Sequence, residues 1–230
     1  MPALYVIATP IGNLEDISLR ALRLLQEVTL IAAEDTRTTR RLLNAYNIKT
    51  PLTSYHEHSR KAKLDYLLDY LGKEDLALVS EAGMPGLSDP GYELIIAAIG
   101  RGICVVPVPG PSAVITSLVV SGLPTDQFLY LGFLPRRQGQ RQRLLGSLVD
   151  EPRTLVAFET RHRLGEALSD IEEILGDRRL SVCRELTKVH EEIFRNRVSQ
   201  AREHFAEPRG EFTLVIEGKT RAWLKSEKRS

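Results

Sequence analysis

The chain has 230 residues and a formal net charge of +1, with 43% hydrophobic and 27% charged residues. This composition excludes a disordered polar chain and allows one large or two small domains. The near-balanced charge excludes a uniformly basic duplex-binding domain, so any nucleic-acid contact must come from local clusters.

The start, MPALYVIATP, enters a strand-like run with no basic leader segment, and no stretch reaches the roughly 18–20 unbroken apolar residues of a membrane helix. Cytoplasmic localisation is the expectation. Residues 3–8 (ALYVIA) read as a buried strand. Residues 18–27 read as a helix with Leu19, Leu22, Leu24 and Leu25 on one face. Residues 30–33 are a strand, 36–46 a helix, 59–71 a helix and 76–80 a strand. Asp89 or Pro90 is expected to open a helix through Ala98, since proline suits a first helical turn. Residues 103–106 follow as a strand, then 112–120 as a helix capped by Ser112. Such alternation predicts a mainly parallel sheet covered by helices.

The pattern changes near Gly122-Leu123-Pro124. Residues 128–133 read as a strand, followed by the polar, arginine-rich PRRQGQRQR. Residues 154–158 and 180–186 are strands, 164–175 a helix, 193–205 mostly helix and 212–217 a strand. The expected domains are therefore 1–122 and 123–220, with a polar tail at 221–230. Cys104 and Cys183 each lie in apolar runs and read as buried thiols.

Turn chemistry is densest at residues 80–91 (SEAGMPGLSDPG), where Gly83, Gly86 and Gly91 alternate with Pro85 and Pro90. A rigid loop at a strand's carboxyl end sits where open α/β sheets bind ligands. TPIGN at 9–13 and VPVPGPSA at 106–113 are similar loops after other strands. The three together predict a small-molecule pocket on one sheet edge. There is no GxGxxG after the first strand, and Gly218-Lys219-Thr220 lacks the first glycine of a P-loop. Glu34-Asp35-Thr36-Arg37 reads equally as a helix cap and as a functional block. His56-Glu57-His58 suits a substrate cleft better than a metal, which would need a third ligand. Arg37, Arg40 and Arg41, and then Arg136, Arg137, Arg141 and Arg143, form the local basic clusters. Phe158, in FETRHR, offers an apolar wall for an adenine ring. Residues 185–192 (ELTKVHEE) end a strand and read as a charge run or a site.

The ordered set ATPIGN, AAEDTRTTRRLL, SYHEH, SEAGMPGLSDPGY, VPGPSA, SGLPTDQF, GFLPRR, RELTKVHEE and GEFTLVIEG resembles the ribosomal small-subunit methyltransferase I family, within the tetrapyrrole-methylase superfamily. The resemblance implies two α/β domains with S-adenosylmethionine in a cleft between them, and a homodimer. It implies 2′-O-methylation of a cytidine ribose in 16S rRNA at the decoding region of the small ribosomal subunit. Carried over by position, the cofactor contacts would be Pro10, Ile11, Gly83, Met84, Pro85, Leu87, Ser112, Ala113, Phe158 and Leu186. Methyl transfer from a sulfonium needs no metal, only in-line placement and a proton acceptor. Glu34, Asp35 and His56 are the candidate bases, with the Glu34-Asp35-Thr36-Arg37 block first. Arg37, Arg40, Arg41, His58, Arg136 and Arg137 are the candidate RNA contacts. Glu81 stands where the family usually has aspartate, and Thr160-Arg161 replaces a usual Ser-Pro or Ala-Pro. Two alternatives stand beside this: a same-fold methyltransferase acting on a tetrapyrrole or a protein side chain, and a non-catalytic RNA-binding assembly factor.

Overall fold

A computed structural model describes residues 2–56 and 61–219. The chain divides into two compact units, Met1–Ser112 and Ala113–Ser230. The expected tail at 221–230 and the site residue His58 lie outside the described residues.

The first unit runs β1 (Ala3–Ile7), α1 (Leu19–Glu27), β2 (Leu30–Ala33), α2 (Thr36–Ala45), β3 (Leu52–Ser54), α3 (Lys61–Leu71), β4 (Leu76–Val79), α4 (Tyr92–Gly100) and β5 (Cys104–Val108). Its strands lie in the order β3-β2-β4-β1-β5 and every pairing is parallel. Leu4, Ile7, Ile31, Ala32, Leu76 and Ala77 are fully buried, which explains their continuous apolar runs: a parallel strand covered on both faces shows no alternation. One apolar layer gathers Ile7, Leu24, Leu25, Ile31 and Leu43; the opposite layer gathers Leu4, Leu67, Leu71, Leu78 and Leu94.

Local signals set the helix starts. Ser18 caps α1 by accepting the Ala21 N–H at 3.1 Å. The buried face of α1 is Ala21, Leu24 and Leu25, while Leu19 is 85% exposed and does not share it. The helix expected from Asp89 or Pro90 begins at Tyr92. Gly91, at φ 134°, closes the preceding loop first, and the Gly86 N–H donates to the Pro90 carbonyl at 3.2 Å. Cys104 is exposed, not buried, because β5 is the edge strand of this sheet; Cys183 is buried as expected.

The second unit runs α5 (Ala113–Val120), β6 (Phe128–Phe133), α6 (Gln138–Ser147), β7 (Thr154–Thr160), α7 (Leu164–Leu175), β8 (Arg179–Arg184), β9 (Glu192–Arg197), α8 (Val198–His204) and β10 (Glu211–Ile216). The order is β6-β7-β10-β8-β9, with β6 parallel to β7 and the other pairs antiparallel. The division falls before α5, whereas the sequence pattern placed it after. Val114 and Leu118 of α5 pack with Val156 and Val215. Burying two such side chains is worth about 1.5–3 kcal/mol each, which decides where α5 belongs.

The structure differs from the sequence expectation at two further places. Residues 193–205, expected to be mostly helix, begin as β9, which pairs with β8 from Arg184↔Glu192 to Arg179↔Arg197. Sheet pairing overrides local preference there. Arg141, grouped by sequence with the solvent-facing arginines, is fully buried on α6. Its Nε donates to Asp170 Oδ2 at 2.6 Å, so it serves the core of this unit.

Candidate active site

The parallel strands of the first unit bring the ends of β1, β2, β3, β4 and β5 to one edge. Each ends in a loop that the sequence singled out, and the backbone ties these loops together. Thr9 and Gly83 form an isolated bridge, with the Thr9 N–H donating to the Gly83 carbonyl at 2.9 Å and the Gly83 N–H to the Thr9 carbonyl at 3.0 Å. The Ala8 N–H donates to the Val108 carbonyl at 3.1 Å. The Glu34 N–H donates to the Val79 carbonyl at 3.3 Å, and the Tyr55 N–H to the Ala33 carbonyl at 2.8 Å.

Along this edge Pro10, Ile11, Met84 and Ser112 are half-buried, Gly83 and Pro85 are buried, and Leu87 is exposed. Ala113, which opens α5, and Phe158 and Leu186 belong to the second unit. Phe158 is half-buried and makes edge contacts with Tyr130 and Phe133 at 5.4 Å. Leu186 is buried.

Gly91 shapes the long loop. A Cβ there would sit 3.0 Å from Leu78 Cδ2 and 3.3 Å from the Gly86 nitrogen, at a φ of +134° that side chains rarely adopt. Gly91→Ala is therefore expected to destabilise the protein by about 1–3 kcal/mol. Urea titration checks this, and an unchanged midpoint would show that the loop yields freely.

The three candidate bases have different surroundings. Asp35 caps α2, accepting the Arg37 N–H at 2.7 Å and the Arg37 guanidinium at 2.9 Å. Those bonds hold its carboxyl at about 2, too acidic for a useful proton acceptor. Glu34 is half-buried, and burial pushes its pKa up; the Glu81 N–H, which donates to its Oε2 at 3.2 Å, pulls the other way. His56 is exposed and lies close to Glu34. Arg37 is engaged by Asp35, whereas Arg40 and Arg41 on α2 are exposed; Arg136 and Arg137 are exposed after β6.

Sequence reasoning missed Asp89, having used it only as a helix start. Ser80, whose hydroxyl donates to the Ala82 and Gly83 carbonyls, is close enough to hold the Asp89 carboxyl down in part. Ser80 and Glu34 follow the paired residues Val79 and Ala33, so Asp89 and Glu34 are brought together at the ends of neighbouring strands. Burial first, and then the Glu34 charge, push Asp89 up to about 7. Its position in the same strand-end loop as Gly83 was the available signal.

Comparison with known proteins agrees with this architecture. A family model described as Tetrapyrrole (Corrin/Porphyrin) Methylases matches residues 3–202, so fold and sequence together define a methylase of the tetrapyrrole class. A Halalkalibacterium halodurans protein named Ribosomal RNA small subunit methyltransferase I is 50% identical over 219 residues, covering 94% of this chain and 75% of that protein. A Thermotoga maritima protein of the same name is 51% identical over 223 residues, covering 95% of this chain and 100% of that protein. The solved structure of a diphthine synthase aligns with a TM-score of 0.72 at 13% identity, over 98% of this chain and 93% of that one, a likeness of fold. The chain belongs to the ribosomal RNA small subunit methyltransferase I family and is a methyltransferase. Among the described residues no helix is long and apolar enough to cross a membrane.

Proposed function

We propose that this methyltransferase moves a methyl group from S-adenosylmethionine to the ribose 2′-oxygen of a cytidine in 16S rRNA, at the decoding region of the small ribosomal subunit. We place the enzyme in the cytoplasm as a homodimer. The observation that carries the substrate is the 50% identity, over 94% of the chain, to a protein named for small-subunit ribosomal RNA.

The first unit's edge fits the donor. Half-buried Pro10, Ile11 and Met84 and exposed Leu87 offer apolar surface for an adenosine, and the backbone of the tied loops offers polar groups. Pro10, Ile11, Gly83, Met84, Pro85, Leu87 and Ser112 are the residues we assign to it. When bound, the sulfonium supplies an activated methyl electrophile. The protein's own task is to position the ribose hydroxyl and remove its proton.

Among the carboxylates, Asp89 is the proton acceptor in this proposal. Asp35 is held too acidic, while Asp89 is tuned close to neutral pH by burial and by Glu34. Glu34 thus becomes the charge that tunes the acceptor, whereas the sequence put the base first in the Glu34-Asp35-Thr36-Arg37 block. Arg40, Arg41, Arg136 and Arg137 are exposed and suited to phosphates.

The test uses labelled S-adenosylmethionine with small ribosomal subunits in one arm and a corrin-type macrocycle in the other. Label is expected only on 16S rRNA, in a nucleotide whose 3′ linkage resists alkali because its 2′-oxygen is methylated. Label on a base, or on the macrocycle alone, defeats the reading. Absence of donor binding in calorimetry would favour an assembly factor instead.

A further inference from the structure

In the second unit β10 runs antiparallel to both β7 and β8, while β6 runs parallel to β7. The carboxyl ends of β6, β7 and β8 therefore share one edge with the start of β10. A cavity of about 350 Å³ opens there, lined by Arg184, Glu185, His190, Arg209 and Gly210.

Its charges are unequally satisfied. The Glu185 carboxylate accepts from Lys188 Nζ at 3.1 Å and from the Glu211 N–H at 2.9 Å. Lys188 also bonds Glu211 Oε2 at 2.7 Å. Arg184 donates to the Arg209 carbonyl at 2.7 Å and to Glu192 Oε2 at 3.2 Å. The acids of the wall are thus neutralised from within. The Arg209 guanidinium and the His190 ring, both exposed, have no ion pair among the described residues. The cavity keeps one unspent permanent positive charge with an imidazole beside it.

The wall is also held in a costly shape. Glu185 and Thr187 adopt φ values of 49° and 64°, in the left-handed region. A Cβ on Gly210 would lie 2.6 Å from Glu185 Cγ, so only glycine fits against that side chain. Strain of this kind persists where surrounding contacts over-determine it, commonly at ligand clamps.

We propose that this cavity binds a backbone phosphate of the RNA substrate, with Arg209 as its fork-shaped donor and His190 as a second donor. The inference rests on the reading that the substrate is RNA. A guanidinium matches two phosphate oxygens at once, and the cavity has room for the phosphate with its sugar. The other anion available to this enzyme is the carboxylate of the methyl donor, and the experiment separates the two.

Binding of the full-length protein to small ribosomal subunits is measured against KCl concentration, with donor affinity measured in parallel. Arg209→Ala is expected to bind RNA at least about tenfold more weakly. It should also flatten the log–log salt slope by about 0.7–0.9, the loss of one phosphate contact. Arg209→Lys, which keeps the charge, restores the slope, and His190→Ala weakens binding less than Arg209→Ala. Arg101→Ala, at an exposed arginine paired with Asp69 in the first unit, is the control and should match wild type. Arg209→Ala with wild-type RNA affinity and slope overturns the proposal, as does a loss confined to donor affinity. Wild-type protein that binds the donor but not the small ribosomal subunit overturns the RNA reading itself, and this inference with it.

Discussion

Asp89→Asn is expected to lower methyl transfer by about 10²–10⁴-fold while leaving donor affinity near wild type. The asparagine keeps the shape, but it cannot accept the ribose proton. The wild-type rate should rise with pH and level off above about 7, because the acceptor must lose its own proton before it can take another. Glu34→Gln tests the tuning. Removing the neighbouring negative charge makes Asp89 easier to ionise, so the rising limb moves to lower pH and the plateau falls with the weaker base. Single-turnover rates from about pH 5 to 9 would read both effects. Wild-type turnover in Asp89→Asn, or a profile in Glu34→Gln that overlays wild type, sinks this assignment. The same group has a stability signature of known sign. Its folded pKa lies above the ordinary aspartate value of 3.8, so the folded state holds the extra proton between 3.8 and about 7. Over that window its contribution to stability is lost as pH rises, opposite to a salt-bridged carboxylate.

The first sheet was legible because its strands are buried on both faces and its loops are written in proline and glycine. Residues 3–8, 30–33 and 76–80 are apolar runs too short for helices, and they became neighbouring parallel strands. The SEAGMPGLSDPG loop was legible as a candidate site because no simple turn needs so many conformationally special residues. Asp89 escaped because a carboxylate beside a proline reads equally well as a helix start, and only the pairing of β2 with β4 brings it to Glu34. Strand β9 escaped because Glu192–Arg197 has one partner strand and a largely exposed face, so its pairing with β8 outweighs any pattern of its own. One wall of the Arg209 cavity was legible in ELTKVHEE as a charge run or a site, but Arg209 escaped because it precedes another strand and is joined to that wall only by register. The helix α6 shows the limit most clearly. Its sequence, QGQRQRLLGS, lacks an apolar stripe because the residue at the middle of its buried face is an arginine.

That arginine supports the largest expected stability effect. Arg141 is fully buried, with Nε 2.6 Å from Asp170 Oδ2. The other Asp170 oxygen accepts from Gln142 at 3.0 Å and Gln138 at 3.3 Å. Burial alone would raise the Asp170 pKa, but the bonds from Arg141, Gln138 and Gln142 outweigh it and hold the carboxyl below its ordinary value. Asp170→Asn is expected to destabilise the protein by about 3–5 kcal/mol, since it takes the short ion pair from a buried guanidinium and leaves it, among the described residues, only long contacts, at 3.4 Å each, to exposed Glu166 and the Pro135 carbonyl. Replacing both partners, with Arg141→Met and Asp170→Leu, should cost much less than Asp170→Asn, because no buried charge is then uncompensated. The pH dependence has a definite sign. A depressed carboxylate contributes stability above 3.8 and loses it as pH falls through the folded value, so the gap between wild type and the double variant should close in acid. Urea titrations at neutral and acidic pH would measure it. If Asp170→Asn is as stable as wild type at neutral pH, the pair is not what positions α6 against α7.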